Sequence, residues 1–474
     1  MSFQEYQLSE EIQKALKLLS YNTPTKIQAL AIPKALHRDD LWVQSQTGSG
    51  KTAAFGIPIC QFCDWNLNHP QALILVPTRE LAIQVADEIK SLGRFKRLNV
   101  LPIFGRVSIE RQELQLKQKT HIVVGTPGRV RDLMNRRSLQ FDALKTLVID
   151  EADEMFFIGL RNQVEDILSQ LPTNRQTMLF SATLSEDIRS LTLQHMKHPI
   201  EISIEQETIT AKEITQFAYE VNQEDKMNVL LSLTQLQNPD SCIVFANTQI
   251  MVDTIEHTLR KHSYPVQKLH GGMLQKERLT VMSNFKQGAF RYLIATDVAA
   301  RGIDIDGIDL ILNYDISRGK QNYVHRIGRC GRAGKQGTAI TLYTKHEINA
   351  MKDIIEYTEA NIIMLNHQDV NVTQQRLEEF HDKLSSKPII KENKNKVLNQ
   401  SIHKLTIRAG KKDKIRTCEI VATICSIEGV TANDIGVIQI LPTQTCVEIL
   451  NNKGNLVLSN IRTKTIKGKV RKVF

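Results

Sequence analysis

Ser45-Gln46-Thr47-Gly48-Ser49-Gly50-Lys51-Thr52 is the stretch that decides how this chain is read. Just before it, Leu41-Trp42-Val43 is a short apolar run with strand character, and Lys51-Thr52-Ala53-Ala54-Phe55 has the composition of a helix start. A small-residue loop between strand and helix aims successive backbone N–H groups into one concavity, at the positive end of the helix dipole. Lys51 is long enough to reach the outer phosphates of a nucleotide, and the Thr52 hydroxyl suits a Mg²⁺ ion. The strict phosphate-loop pattern has Gly where this chain has Ser45, so an ordinary Gly/Ser turn is the plain alternative.

Asp150-Glu151-Ala152-Asp153 tips the balance. It follows Leu147-Val148-Ile149, which reads as a strand buried on both faces. Three carboxylates at the end of a buried strand are costly unless something pairs with them. A Mg²⁺ ion opposite Thr52 is a natural partner for Asp150, directly or through water, and Glu151 is then placed to orient and deprotonate a water attacking a γ-phosphate. The bland reading is a helix N-terminus rich in acids.

At 474 residues the chain should hold about three domains. A hydrophobic fraction of 41% supports packed cores, and no uninterrupted apolar run is long enough for a membrane span. Met1-Ser2-Phe3-Gln4-Glu5 lacks a basic segment followed by an apolar one, so no secretory signal is read and a cytoplasmic, membrane-free protein is expected. The seven cysteines are scattered; Cys60 and Cys63 form a lone C-x-x-C, for which reduced thiols are expected rather than a metal. Charge is uneven. Of the net +10, residues 401–474 carry +8, with thirteen Lys/Arg against five Asp/Glu. Such a tail points to a polyanion partner, a solubilising surface being the alternative.

Apolar runs at 41–43, 72–76, 122–124, 147–149 and 178–180, then at 242–245, 292–295, 310–312 and 339–342, alternate with helix-length segments. That pattern predicts two parallel α/β sheets with working residues in loops at the C-terminal strand ends. The expected domains are 1–205, 206–366 and 403–474, with a solvated linker at 367–402 that includes Lys391-Glu392-Asn393-Lys394-Asn395-Lys396.

With these elements in order, residues 3 to about 342 resemble a DEAD-box RNA helicase. The resemblance implies two tandem RecA-like domains, use of ATP with Mg²⁺, and RNA as substrate. Tyr21-Asn22-Thr23-Pro24-Thr25-Lys26-Ile27-Gln28 is similar to the family's adenine-recognising segment, with Phe3 at the matching upstream position. By resemblance Phe3, Tyr21, Gln28, residues 45–52 and the ribose acceptor Asp304 bind ATP. Thr52 and Asp150 hold the metal, while Lys51, Glu151, Arg329 and Arg332 carry catalysis, the two arginines as fingers.

Pro77-Thr78-Arg79, Gly105, Thr126, Gly128 and Arg129 resemble the RNA-backbone loops of the first domain. Gly105-Arg106 stands where the family has a Gly pair, and Arg106 could add a phosphate contact. In the second domain Gly271, Gly272, Gln275, Arg278, Thr296 and Gly302 take the corresponding places. Asp153, Ser181, Thr183, His325 and Arg326 resemble the residues that couple the domains, with Arg326 expected to reach Asp153.

Residues 404–416, Asn433-Asp434-Ile435-Gly436 and Ile466-Lys467-Gly468-Lys469 resemble the RNA-binding module of DbpA-type helicases. That resemblance implies a small α+β domain like an RNA-recognition motif, directed to a hairpin of 23S rRNA, with Lys411, Lys412, Lys414 and Arg416 as its contacts. No aromatic stands at Thr406, Val447 or Ile449, where such a sheet would stack bases. The expectation is a monomeric RNA-dependent ATPase that separates short duplexes on precursors of the large ribosomal subunit. A general cold-adaptation helicase, an ATP-gated RNA clamp and a DNA-directed helicase are the rival readings.

Overall fold

The computed structural model describes residues 2–45, 48–183, 186–203, 214–297, 307–331, 336–386 and 402–474. Two compact units are distinguished, Met1–Ile204 with Asn393–Phe474, and Glu205–Glu392.

In the first unit, β1 (Leu41–Gln44), β2 (Ala72–Leu75), β3 (Val100–Ile103), β4 (Ile122–Gly125), β5 (Thr146–Ile149), β6 (Gln176–Ser181) and β7 (Ile200–Ser203) form one sheet in the order β3-β4-β2-β5-β6-β1-β7. Every neighbouring pair is parallel. The central strands β2, β4, β5 and β6 are buried throughout, because crossover helices cover both faces. One core, under helices such as Lys51–Phe62 and Arg79–Leu92, gathers Ile57, Val85, Val124 and Phe180; the opposite face gathers Leu73, Leu147, Leu168 and Leu179.

The second unit repeats the design. Strands β8 (Ile214–Glu220), β9 (Cys242–Phe245), β10 (Val266–Leu269), β11 (Tyr292–Ala295), β12 (Leu310–Asn313), β13 (Gly337–Tyr343) and β14 (Ile362–Asn366) lie in the order β10-β11-β9-β12-β13-β8-β14, all pairs parallel.

The linker expected at 367–402 begins later than the sequence reading put it. Helix Gln374–Ser385 belongs to the second unit, with Phe380 buried 5.2 Å from the Tyr264 ring. Its polar surface reads as solvated linker, and a single apolar anchor is a weak signal.

The C-terminal segment forms a smaller sheet of β15 (His403–Ile407), β16 (Ile435–Ile440) and β17 (Thr445–Ile449) in the order β15-β17-β16, antiparallel. Helices Thr417–Cys425 and Gly454–Ile461 cover one face, closing on Leu405, Ile407, Val447 and Ile449. Thr406 and Phe474 exchange both backbone hydrogen bonds, at 3.0 and 3.1 Å, so the last residues add a fourth strand beside β15. A short hairpin, β18 (Thr465–Ile466) and β19 (Lys469–Val470), precedes it. This βαββαβ order is that of an RNA-recognition motif. Val447 and Ile449 therefore point into the core rather than outward, a correction to the sequence reading that follows from the strand register.

Candidate nucleotide and RNA site

The loop at 45–52 joins β1 to helix Lys51–Phe62, as its composition requires. Gln46 and Thr47 lie outside the described residues. Gly48 and Gly50 sit at φ +77° and +90°, where a side chain is strained. A Cβ on Gly50 would also lie 2.4 Å from Gln28 Nε2. The Ser45 hydroxyl is buried without a hydrogen-bond partner among the described residues, and the Ser45 N–H donates to Ser181 O at 2.9 Å.

Thr25 and Gln28 buttress this loop from the start of the preceding helix, Lys26–Leu36. Thr25 Oγ1 donates to Ser49 O at 2.8 Å and Gln28 Nε2 to Gly50 O at 3.1 Å, while Gln28 Oε1 accepts from the Thr25 N–H at 3.0 Å. Both ends of the Gln28 amide are thus engaged on the loop and its own helix cap. Phe3 is buried, its ring edge-on to Tyr21 at 5.7 Å, and the Tyr21 hydroxyl donates to Glu88.

Lys51 Nζ lies 2.6 Å from Glu151 Oε1 and 3.8 Å from Asp150 Oδ1, all three side chains being buried. Burial alone would lower the Lys51 ammonium, but the charges of Glu151, Asp150 and Asp153 outweigh it and hold it above the usual lysine value. Asp150 is pushed up to about 7, chiefly by burial, with Lys51 pulling the other way and Glu151 adding repulsion. Glu151 takes a left-handed turn at φ +53° between β5 and helix Ala152–Phe157, which turns its side chain toward the lysine.

The donor set fits a magnesium nucleotide. Two glycine turns leave room at the loop, a buried hydroxyl is unsatisfied, and an excess of buried carboxylate over ammonium suits a divalent cation. Thr52 and Asp150 would hold that cation, which neutralises phosphate charge when bound.

Asp153 connects this site to the next strand end. Its Oδ2 accepts from the Thr183 N–H at 3.1 Å and hydroxyl at 3.2 Å, and Ser181 Oγ donates to Thr183 O at 2.8 Å. A change at the carboxylate run is therefore felt directly by the segment after β6.

The first-unit loops that resemble the family's RNA-backbone loops also stand at C-terminal strand ends. Thr78 caps helix Arg79–Leu92 by accepting from the Leu81 N–H, after Pro77. Arg129 is committed locally, donating to Gln112 Oε1 at 2.8 Å and Val107 O at 3.1 Å, which fixes the loop carrying Gly105. Arg106 adopts φ +59°, so the backbone keeps a glycine-like turn without the glycine. Thr126 and Gly128 flank Pro127 at the start of helix Pro127–Asn135, and a Cβ on Gly128 would lie 3.0 Å from Gln163 Oε1.

In the second unit, Gly271 and Gly272 lie against the Gln249 amide, and a Cβ on Gly272 would be 2.7 Å from Gln249 Oε1. The Gly272 N–H donates to His270 Nδ1 at 3.2 Å, and His270 Nε2 stands 3.2 Å from Asp253. Gln275 and Arg278 open helix Gln275–Lys286, and Thr296 follows β11, its N–H donating to Leu269 O.

Arg326 is fully engaged within its own unit: bidentate to Asp297, and donating to Asn247 Oδ1, Asn313 Oδ1 and Asp315 O. A buried guanidinium needs a carboxylate partner, and Asp297, just past the end of β11, supplies it within the same unit. The spacing of the motif gave no hint of Asn247 or Asn313 as its further partners. His325 precedes it on helix Lys320–Ile327, and Arg329 is buried two residues beyond the end. Gly302, Asp304 and Arg332 lie outside the described residues.

In the C-terminal domain, exposed Lys411 and Lys412 open a single 3₁₀ turn, Lys414 ends it at φ +56°, and Arg416 precedes helix Thr417–Cys425. Lys467 Nζ donates to Lys414 O at 2.6 Å and Arg471 pairs with Asp413 at 3.0 Å, drawing the basic loops together.

Two tandem parallel sheets, a phosphate-loop lysine paired to the Asp-Glu-Ala-Asp carboxylates, and an appended basic α+β domain define an ATP-dependent RNA helicase. The DEAD/DEAH box helicase family matches residues 25–191, the helicase conserved C-terminal domain residues 225–334, and the DbpA RNA binding domain residues 404–473. The chain belongs to the DEAD-box helicase family. It is 48% identical to the ATP-dependent RNA helicase DbpA of Bacillus subtilis over 99% of this chain and 98% of that protein. It is also 44% identical to the DEAD-box ATP-dependent RNA helicase CshA of Geobacillus kaustophilus, over 76% of this chain and 77% of that one. Among solved structures, Saccharomyces cerevisiae Dbp5 bound to RNA and ADP BeF3 aligns with a TM-score of 0.70 at 30% identity, covering 81% of this chain and all of that one.

Proposed function

We propose that this helicase locally separates short RNA duplexes in 23S rRNA, acting on precursor particles of the large ribosomal subunit. The observation that carries this reading is the C-terminal domain, whose fold and match set it apart from a bare helicase pair. Its basic loops would grip the target hairpin, and the two sheet-based units would act on a neighbouring duplex.

In the proposed cycle, Lys51 and the 45–52 loop bind the ATP phosphates, Gln28 and Tyr21 hold the base, and Asp304 the ribose. Thr52 and Asp150 hold Mg²⁺. Glu151 takes the proton of the attacking water as the terminal phosphate departs to it, and Arg329 and Arg332 steady the charge on the transferring group. The loops at 77–79, 105, 126–129, 271–278, 296 and 302 hold one strand by its sugar-phosphate backbone. ATP and RNA together favour a closed arrangement that disfavours a straight duplex, so the second strand leaves. The working form is a cytoplasmic monomer.

The test compares stimulation of ATPase activity by 23S rRNA fragments and by random RNA of equal length, for the full chain and for one lacking residues 403–474. Strong preference in the full chain, lost on truncation with activity at saturating RNA retained, supports the assignment. Equal stimulation by both RNAs points to a general helicase. ATP turnover that leaves a short labelled duplex intact points to a clamp.

A further inference from the structure

The outer face of the C-terminal sheet lacks the aromatics that such folds place on their first and third strands. Thr406 faces Cys446 and Lys404 faces Glu448 across β15 and β17. The fourth strand supplies one instead. Along β15, Leu405 and Ile407 point into the core, so Lys404, Thr406 and Arg408 point away from it. Val473 bridges Ile407 and is buried, so Lys472 and Phe474 also point away.

Phe474 is 46% exposed, unusual for a phenylalanine beside a paired strand. Arg408 Cζ and Lys472 Nζ lie over its ring, 5.4 Å and 5.5 Å from the centroid. The backbone exchange between Thr406 and Phe474, with the Arg408 N–H donating to Lys472 O at 2.9 Å, fixes the strand that carries the ring beside β15. An exposed ring with two exposed cations at its face offers an unstacked nucleobase a stacking surface and its phosphates two partners, once the long side chains swing from the ring. The two cations also keep the ring from serving a protein's apolar surface, which would have to desolvate both.

We propose that Phe474 is a base-stacking residue, taking one unpaired RNA base on its face while Arg408 and Lys472 contact the flanking phosphates. The site rests on the reading of this domain as RNA-binding and adds where a base is read. Stacking without edge contacts makes it tolerant of base identity but dependent on a base being present.

The experiment measures binding of the nucleotide-free full chain to a fluorescent 23S rRNA hairpin with a single-stranded flank. Phe474→Leu, which keeps apolar bulk, should weaken binding about tenfold, and Phe474→Trp should retain it. The indole of Phe474→Trp should be quenched by the hairpin, and replacing flank nucleotides one by one with abasic sites should abolish the quench at one position. ATPase activity at saturating RNA should be unchanged in both variants. If removing residues 403–474 weakens binding but Phe474→Leu does not, stacking is refuted and the RNA-binding domain stands. If the truncated chain binds as tightly as the full one, the reading of the domain itself is refuted. Quenching by a protein fraction but not by RNA would assign the ring to a protein partner.

Discussion

Lys51 Nζ sits 2.6 Å from Glu151 Oε1, so the proposed phosphate ligand and the proposed general base are bound to each other. Each neutralises the other where an unpaired charge would be costly. In the proposed cycle an incoming phosphate competes for the ammonium and releases the carboxylate toward water. Glu151→Gln keeps an acceptor for Lys51 but cannot take a proton. The expected outcome is ATP and RNA affinity within about threefold of the parent, with turnover lowered at least 100-fold. Single-turnover hydrolysis with bound ATP checks this; unchanged turnover excludes Glu151 as the base.

Asp150 gives a second, thermodynamic prediction. Burial raises its folded-state value to about 7, well above the ordinary 3.8. Between about pH 4 and 7 the folded protein therefore holds a proton that the unfolded chain has released. Stability from this group falls as pH rises through that window. Asp150→Asn removes the surplus negative charge while Lys51 keeps Glu151, so the first unfolding transition of the nucleotide-free variant should lie higher at pH 8 and vary less between pH 5 and 8. ATPase activity should be lost, since Asp150 is the proposed magnesium ligand. A lower transition at pH 8 contradicts this account.

These residues were legible because their chemistry is local. In the two parallel sheets most inner strands were read correctly as apolar runs, and four of the five missed there, β3, β7, β10 and β14, are sheet edges. The fifth, β8, lies next to an edge and alternates buried with less buried positions. An edge strand buries less on each face, so its sequence carries a weaker pattern. The partners of Arg326 were not legible for a different reason. Asn247, Asp297 and Asn313 come from three separate strand ends that only the sheet order brings together. Phe474 was missed because nothing in a three-residue segment marks it as a strand.

Gly50 carries two separable demands. Its φ of +90° disfavours any side chain, and a Cβ would meet the Gln28 amide at 2.4 Å. Gly50→Ala should lower ATP affinity more than tenfold. In a Gln28→Ala background the closest clash is removed, leaving only the 3.2 Å approach to Thr25 Oγ1, and the backbone part, about 1–2 kcal/mol, persists. The two substitutions should therefore be non-additive, with the double variant binding ATP better than the sum of single losses implies. Equilibrium titration with a fluorescent ATP analogue measures all four proteins. Strict additivity means that the 2.4 Å approach has no energetic consequence.

Arg106 holds a left-handed turn at φ +59° where the resemblance led us to expect glycine. That conformation costs a non-glycine residue about 1–2 kcal/mol, and glycine gives back part of the gain through its freer unfolded chain. Arg106→Gly should therefore stabilise the nucleotide-free protein by up to about 1 kcal/mol. If the chain tolerates this strain because the guanidinium contacts an RNA phosphate, the same variant should bind RNA more weakly. The salt dependence of its binding should then be shallower by about one released ion. Arg106→Lys separates the two effects, keeping the charge and the backbone cost together. Thermal unfolding and RNA titrations between 50 and 200 mM salt read both quantities. A variant that gains stability without losing salt dependence leaves the turn as a shape requirement alone, with the phosphate contact assigned to Arg79 and its neighbours.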